Sequence, residues 1–77
     1  MREIDFHGYS LEEAKSHLEQ LINTHYINKE IISYKLIVGH GIIKKHFLEM
    51  LKEYDCEANI ELGNTGSIIA HIGIEDY

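Results

Sequence analysis

The sequence predicts an α/β protein, a two-layer α+β sandwich with the element order β-α-β-α-β-β. Two amphipathic stretches of helical length separate short stretches in which apolar residues alternate with polar ones or run continuously, as in strands. A glycine turn follows each of the first two predicted strands, and a Gly-Asn-Thr-Gly turn joins the last two into a hairpin. Because crossovers between parallel strands are right-handed, both helices are expected on one face of a four-stranded mixed sheet.

Residues 2–7 are predicted to form the first strand. Apolar and polar side chains alternate there, so Asp5 and His7 should point to the face opposite the apolar residues. Gly8 interrupts the alternation and permits a tight turn, because its backbone is free of Cβ constraints. His7 is therefore expected beside a turn at the end of a strand, where α/β folds commonly bind ligands.

The first helix is predicted from Ser10 to about His25. Ser10 and Glu13 have the spacing of a capping box, in which each side chain bonds the backbone N–H of the other residue. Apolar residues recur at helical spacing after them. The pattern leaves the end of the helix open between residues 23 and 29.

The second half of the chain follows the same patterns. Residues 34–38 are predicted as a strand covered on both faces, because its last three side chains are all apolar. After a glycine turn, a second helix is predicted over residues 43–54. Residues 57–62 alternate as a strand near the sheet edge, residues 63–66 have turn chemistry, and residues 67–74 form the final strand.

Size and composition favour a single domain spanning residues 1–77. The chain has one cysteine, Cys56, which fits a reducing compartment, and it has neither a signal-peptide pattern nor an apolar run of membrane-spanning length. A cytoplasmic protein without membrane contact is therefore expected. The net charge of −6, from 13 acidic and 7 basic residues, argues against a broad nucleic-acid footprint. Any nucleic-acid contact should be local, weak or assisted by a partner.

The turn after the second strand, Gly39-His40-Gly41, has the features of an anion site. Its backbone N–H groups are expected at a helix N-terminus, where partial positive charge favours phosphate. Lys44 and Lys45 follow, in the one basic cluster of the sequence. The alternative is a tight turn followed by a solvated helical turn, and both interpretations stay open.

Three glycine motifs together resemble those of the small MutS-related (Smr) domain family. The sequence I-D-F-H-G at residues 4–8, followed by a helix that begins S-L-E-E-A, is similar to the family's opening motif. The sequence V-G-H-G at residues 38–41 is similar to its His-Gly-x-Gly or Thr-Gly-x-Gly motif, although Val38 replaces the polar residue. The sequence G-N-T-G at residues 63–66 is similar to its Gly-Gly-x-Gly turn, with Asn64 for the second glycine. The motifs cover nearly the whole chain in the family's order, as in a stand-alone member.

The resemblance implies the same sandwich fold and an endonuclease activity, either DNA nicking or RNA cleavage. Both glycine turns should lie at the same end of adjacent parallel strands, so His7 and His40 are expected to flank one phosphate-binding cleft. His7 is the expected general base or acid, since imidazole titrates near neutrality, with His40 as its complement or a charge stabiliser. Asp5 is expected to orient a ring or to bind a metal. No cofactor is indicated by the sequence, and Mg²⁺ stays an open alternative. The residues expected to bind nucleic acid or its phosphate are Gly8, Gly39, Gly41, Lys44, Lys45, Gly63 and Gly66.

The rival prediction is a non-catalytic module that binds nucleic acid, a ribosome or a partner protein. The net charge of −6 and the apolar Val38 favour it. So does the lack of the extensions with which larger Smr proteins bring substrate to the site. Asp5 also has a structural alternative, because a carboxylate beside a glycine turn can accept backbone N–H bonds and fix the turn.

The other histidines are predicted to be incidental. His17, His25 and His46 are expected on helical or loop surfaces and His71 as a packed or edge residue, and no pair has convincing zinc spacing. Tyr9 is a candidate for stacking on a base, with ordinary packing as the alternative.

Overall fold

A computed structural model of the chain describes residues 1–73, which form four strands and two helices. The elements are β1 (Arg2–Asp5), α1 (Leu11–Ile27), β2 (Ile31–Ile37), α2 (Ile42–Glu53), β3 (Glu57–Glu61) and β4 (Asn64–Gly73). The strand order is β1-β2-β4-β3, with β1 parallel to β2 and the other two pairs antiparallel. The predicted element order and mixed sheet are confirmed. Ile74, the predicted end of the last strand, lies outside the described residues.

The two helices cover one face of the sheet, and the core lies between the two layers. In the strand register, Tyr34 and Leu36 of β2 lie opposite Ala70 and Ile68 of β4, and all four are buried. The side chains that the helices bury against this face include Ala14, Leu18 and Ile22 from α1 and Phe47 and Leu51 from α2. Burial of each larger apolar side chain contributes about 1.5–3 kcal/mol. Neither helix is long and apolar enough to span a membrane, as far as the described chain extends.

The start of α1 is the predicted capping box. Ser10 Oγ accepts a hydrogen bond from Glu13 N (3.1 Å), and Glu13 Oε1 accepts one from Ser10 N (2.9 Å). The bond from the Ser10 backbone, followed by the interaction with its hydroxyl, holds the pKa of the Glu13 carboxyl below its usual value. The negative charge so favoured lies at the positive end of the helix dipole.

Each helix ends in a left-handed residue that is not glycine. Lys29 (φ 54°) follows α1 and Asp55 (φ 57°) follows α2. After α2, Cys56 N donates to Leu51 O (2.8 Å), and a corresponding bond closes α1. These are the backbone bonds of Schellman motifs, which satisfy the carbonyls of the last helical turn. α1 therefore runs to Ile27 with Asn28 as its C-cap, within the range that the sequence left open.

His25 is buried, which corrects its predicted place on a helical surface. It is 6% exposed, and its Nδ1 lies 2.6 Å from Glu30 Oε2 while its Nε2 lies 2.8 Å from Tyr34 Oη. Arg2 Nη1 donates to the same tyrosine oxygen at 3.4 Å. The hydrogen bond with His25 is the main reason why the pKa of Glu30 falls below its usual value. This network closes the end of the sheet where β1 begins.

The β3–β4 hairpin is present as predicted, but its turn is shorter. Leu62 and Gly63 form the turn, and β4 starts at the next residue rather than at residue 67. The reason is the positive φ of Gly63 (81°), which closes the turn within two residues. The register then shifts between Ile60 and Glu61, so residues 65–67 of β4 bulge away from β3.

Candidate functional site

Three chain segments meet at one end of the sheet. Because β1 and β2 run parallel, their carboxyl ends lie at the same edge, and antiparallel β4 begins there. The segments are residues 6–10 after β1, residues 38–41 after β2 and residues 62–66 around the start of β4. The first two glycine turns are therefore neighbours, as predicted. We call this region the turn end of the sheet, and we include in it Ser67, which follows the third segment, and the first turn of α2, which follows the second.

The segment after β1 is a tight turn with His7 at one corner. Tyr9 N donates to Phe6 O (3.1 Å), and Gly8 has the positive φ (83°) that a type II turn requires at its third position. Asp5 Oδ1 accepts a hydrogen bond from His7 N (2.9 Å). This bond fixes the turn, so the carboxylate is engaged with backbone rather than with an imidazole. The His7 side chain is exposed and has no hydrogen-bond or ion-pair partner within residues 1–73.

An open cleft of about 260 Å³ separates the first turn from the second. The residues that line it are Asp5, Phe6, His7, Ile37, Val38 and Gly39. His7 and Gly39 thus line the same cleft, as expected for residues that follow two adjacent parallel strands. A larger hollow of about 370 Å³, lined by Tyr26 and Tyr54 among others, contains none of the predicted site residues.

His40 is held by the third segment instead of lining this cleft. Its Nε2 lies 2.8 Å from Thr65 Oγ1, within hydrogen-bond distance. A Cβ added to Gly66 would lie 3.3 Å from His40 Cε1, so the imidazole packs over this glycine. Gly66 O in turn accepts hydrogen bonds from Val38 N and Gly39 N, both at 2.9 Å. The second and third glycine motifs therefore form one rigid unit.

The predicted basic cluster lies on the first turns of α2. Gly41 occupies the N-cap position without a side-chain hydrogen bond, and the first turn carries no acidic residue. Lys44 is half-buried and Lys45 is exposed, and neither forms an ion pair with the described residues. Unpaired N–H groups and the helix dipole leave partial positive charge at such a terminus. Two unpaired ammonium groups add to it, so this is the positively charged part of the turn end.

Two residues of the turn end were not identified from the sequence. Thr65 is the partner of His40, and Ser67 is completely buried with an Oγ that has no hydrogen-bond partner within the described chain. Both positions depend on the bulge at residues 65–67, which no sequence pattern signals. Gly63, predicted as a binding residue, is the corner of the hairpin turn at this same end.

The described residues contain no group of three or more histidine, cysteine, aspartate or glutamate side chains placed to hold a metal ion. Asp5, the candidate ligand, uses one carboxylate oxygen to fix its turn. Its other oxygen is an acceptor of the kind that Mg²⁺ prefers. Participation of Mg²⁺ therefore stays a prediction for experiment.

Comparisons with known proteins add no family assignment. No family model, no curated protein and no solved structure matches the chain. The resemblance to Smr domains accordingly rests on the three glycine motifs, and membership of that family stays a prediction.

Proposed function

We propose that this protein is an Smr-like nucleic-acid endonuclease that holds a phosphodiester at the turn end and cleaves it with the help of His7. One observation carries the proposal. The His7 imidazole is exposed, has no partner within residues 1–73, and lies on a cleft whose opposite wall is the Gly39 turn. A general acid or base must be available to substrate, and an unpartnered imidazole beside an anion-binding turn meets that requirement.

The role proposed for each residue depends on whether its polar atoms already have hydrogen-bond partners within the protein. The N-terminus of α2 and the Lys44 and Lys45 ammonium groups hold the phosphate. His7 takes the proton from the attacking oxygen, which is the 2′-hydroxyl in RNA and a water molecule for DNA. That oxygen bonds to phosphorus as the bond from phosphorus to the leaving oxygen breaks. His40 Nδ1 has no partner within the described chain and supplies a proton or a hydrogen bond to the leaving oxygen or a phosphate oxygen. Asp5 acts as a positioning residue, because it fixes the turn that carries His7.

The experiment compares cleavage by the wild-type chain, His7→Ala and His46→Ala, with labelled single-stranded RNA, single-stranded DNA and supercoiled plasmid as substrates. Each reaction is run once with Mg²⁺ and once with EDTA, because cleavage with and without a metal ion are both possible mechanisms. Loss of a general acid or base lowers rates about 10²–10⁴-fold, so His7→Ala should be slower by at least the lower factor. His46, half-buried on α2, is the matched control and should cleave like wild type. Equal rates for His7→Ala and wild type would overturn the proposal.

A second candidate, a non-catalytic binding module, is favoured by a specific observation. Asp5 is bonded to backbone and His40 to Thr65, so residues 1–73 contain no imidazole–carboxylate pair at the turn end. The net charge of −6 also fits a protein that uses few phosphate contacts. Binding of nucleic acid or ribosomes that weakens in Lys45→Gln, without cleavage under any condition above, would support this module.

A further inference from the structure

Tyr9 and His17 form a stacked pair beside the first turn. Their ring centroids are 5.9 Å apart and their planes differ by 28°. Both rings meet Phe6 edge to face, at centroid distances of 5.1 Å for Tyr9 and 5.4 Å for His17. Phe6 is 2% exposed and packs in the same geometry on Phe47 at 4.9 Å. The contacts with Phe6 therefore hold the Tyr9–His17 pair against the core.

Position and ring contacts distinguish Tyr9 from the other exposed tyrosines. It belongs to the same turn as His7, which lines the cleft, and it is 38% exposed, so the residue stays accessible to a ligand. Tyr26 and Tyr54 are exposed to 50% and 37%, but neither has a ring partner among the described residues. A fixed and open ring loses little conformational freedom when a planar ligand stacks on it.

We propose that Tyr9, backed by His17, is a stacking platform for an unpaired nucleobase, and that the ligand of the turn end is single-stranded nucleic acid. This rests on the nucleic-acid part of the proposed function and not on cleavage. The bases of a duplex are already stacked inside the helix, so only a single strand can offer a base face to the ring. Stacking on an aromatic side chain tolerates every base and needs no positive charge.

The charges around the platform support a base rather than a phosphate as its ligand. Glu12 and Glu13 lie in the first turn of α1, directly after this segment, and they repel phosphate groups. The positive charge of the turn end lies elsewhere, at Lys44 and Lys45. A single strand can satisfy both features, with a base on Tyr9 and a neighbouring phosphate at the start of α2. Stacking also supplies affinity that a chain of net charge −6 cannot gain from many phosphate contacts.

The test is a fluorescence-anisotropy titration of the full chain with labelled oligo(U), labelled oligo(dT) and a duplex of matched length. Removal of one stacked base contact costs about 5- to 150-fold in affinity, so Tyr9→Ala should weaken single-strand binding by that range. Tyr9→Phe, which keeps the ring, should bind like wild type, and so should Tyr54→Ala, the exposed tyrosine remote from the cleft. Tyr9→Leu keeps apolar packing on Phe6 but has no aromatic face, so it should lose single-strand affinity by the same factor. It replaces Tyr9→Ala in the test if Tyr9→Ala is poorly folded.

Salt dependence separates stacking from phosphate contact. The slope of log affinity against log salt should be unchanged in Tyr9→Ala and smaller in Lys45→Gln, because only the latter removes a phosphate contact. Binding of a single strand through Tyr9 without cleavage supports the platform and overturns the nuclease proposal alone. Three outcomes would overturn the platform. They are cleavage by Tyr9→Leu with the wild-type KM, tighter binding of duplex than of single strand, and no binding of any oligonucleotide by the wild-type chain.

Discussion

Removal of the Ser67 hydroxyl should stabilise the protein. Ser67 is completely buried on β4, opposite Ile37, and its Oγ has no hydrogen-bond partner within residues 1–73. A buried hydroxyl without a partner costs about 1–3 kcal/mol in mutational data. Ser67→Ala removes that cost and leaves only a small void, so the free energy of unfolding should rise by about 1 kcal/mol. For a domain of this size the melting temperature should then rise by roughly 4–8 °C.

Ser33 provides the matched control. It lies on β2, on the same face of the sheet, and its Oγ is 2.7 Å from His71 Nδ1. Ser33→Ala loses this hydrogen bond and should lower the free energy of unfolding by about 0.5–1.5 kcal/mol. Both variants are measured by urea unfolding followed by circular dichroism, with unchanged m-values as the sign of a common unfolded state. A decrease for Ser67→Ala would show that its hydroxyl is paired in solution and would refute the reasoning.

Two further predictions concern the ends of the helices. Asp55→Gly should raise the free energy of unfolding by about 1 kcal/mol, because glycine adopts the left-handed φ of 57° without a Cβ clash; an equal gain for Asp55→Ala in the same urea titration would contradict this explanation. The second concerns Glu30, whose pKa is lowered below its ordinary value of 4.5 mainly by the hydrogen bond with His25. The contribution of this carboxylate to the free energy of unfolding is therefore present above about pH 4.5 and is lost as the pH falls through the folded-state pKa. Glu30→Gln should therefore flatten the fall of stability below that pH, and a pH profile identical to wild type would count against the bond.

The fold was predictable because each element has a clear hydrophobic period, and the end of α2 was placed to within one residue, whereas the end of α1 was left open between residues 23 and 29. Sequence rules place a helix stop at glycine, asparagine or proline. Here the left-handed residues are Lys29 and Asp55, which carry no such signal. Their conformation is stabilised by Schellman hydrogen bonds and by tertiary packing, as shown by the burial of both Leu51 and Cys56 at the end of α2. α1 accordingly passes residue 23, the first candidate exit, and ends just before Asn28, within the range that the sequence left open.

The candidate site was predictable only where strand direction determines it. Parallel strands bring their carboxyl ends together, so the proximity of His7 and Gly39 followed from the element order. The bond between His40 and Thr65 joins residues 25 positions apart, and it exists because β4 bulges after a two-residue turn. Alternation of apolar and polar residues cannot reveal such a register shift. For the same reason the sequence did not show that His40 belongs to the third glycine segment.

Some polar side chains of the turn end already form hydrogen bonds within the protein, and only the remaining ones can bind a ligand. Asp5 and His40 already hold turns in place, so they stabilise the frame of the site. The groups left available are the His7 imidazole, the Nδ1 of His40, two lysines and the open ring of Tyr9. A ligand bound mainly through phosphates would need more cations than these, because each neutralised phosphate adds only one unit to the counterion release that drives binding. A short unpaired strand needs fewer, since one stacked base and one held phosphate fix its position next to His7.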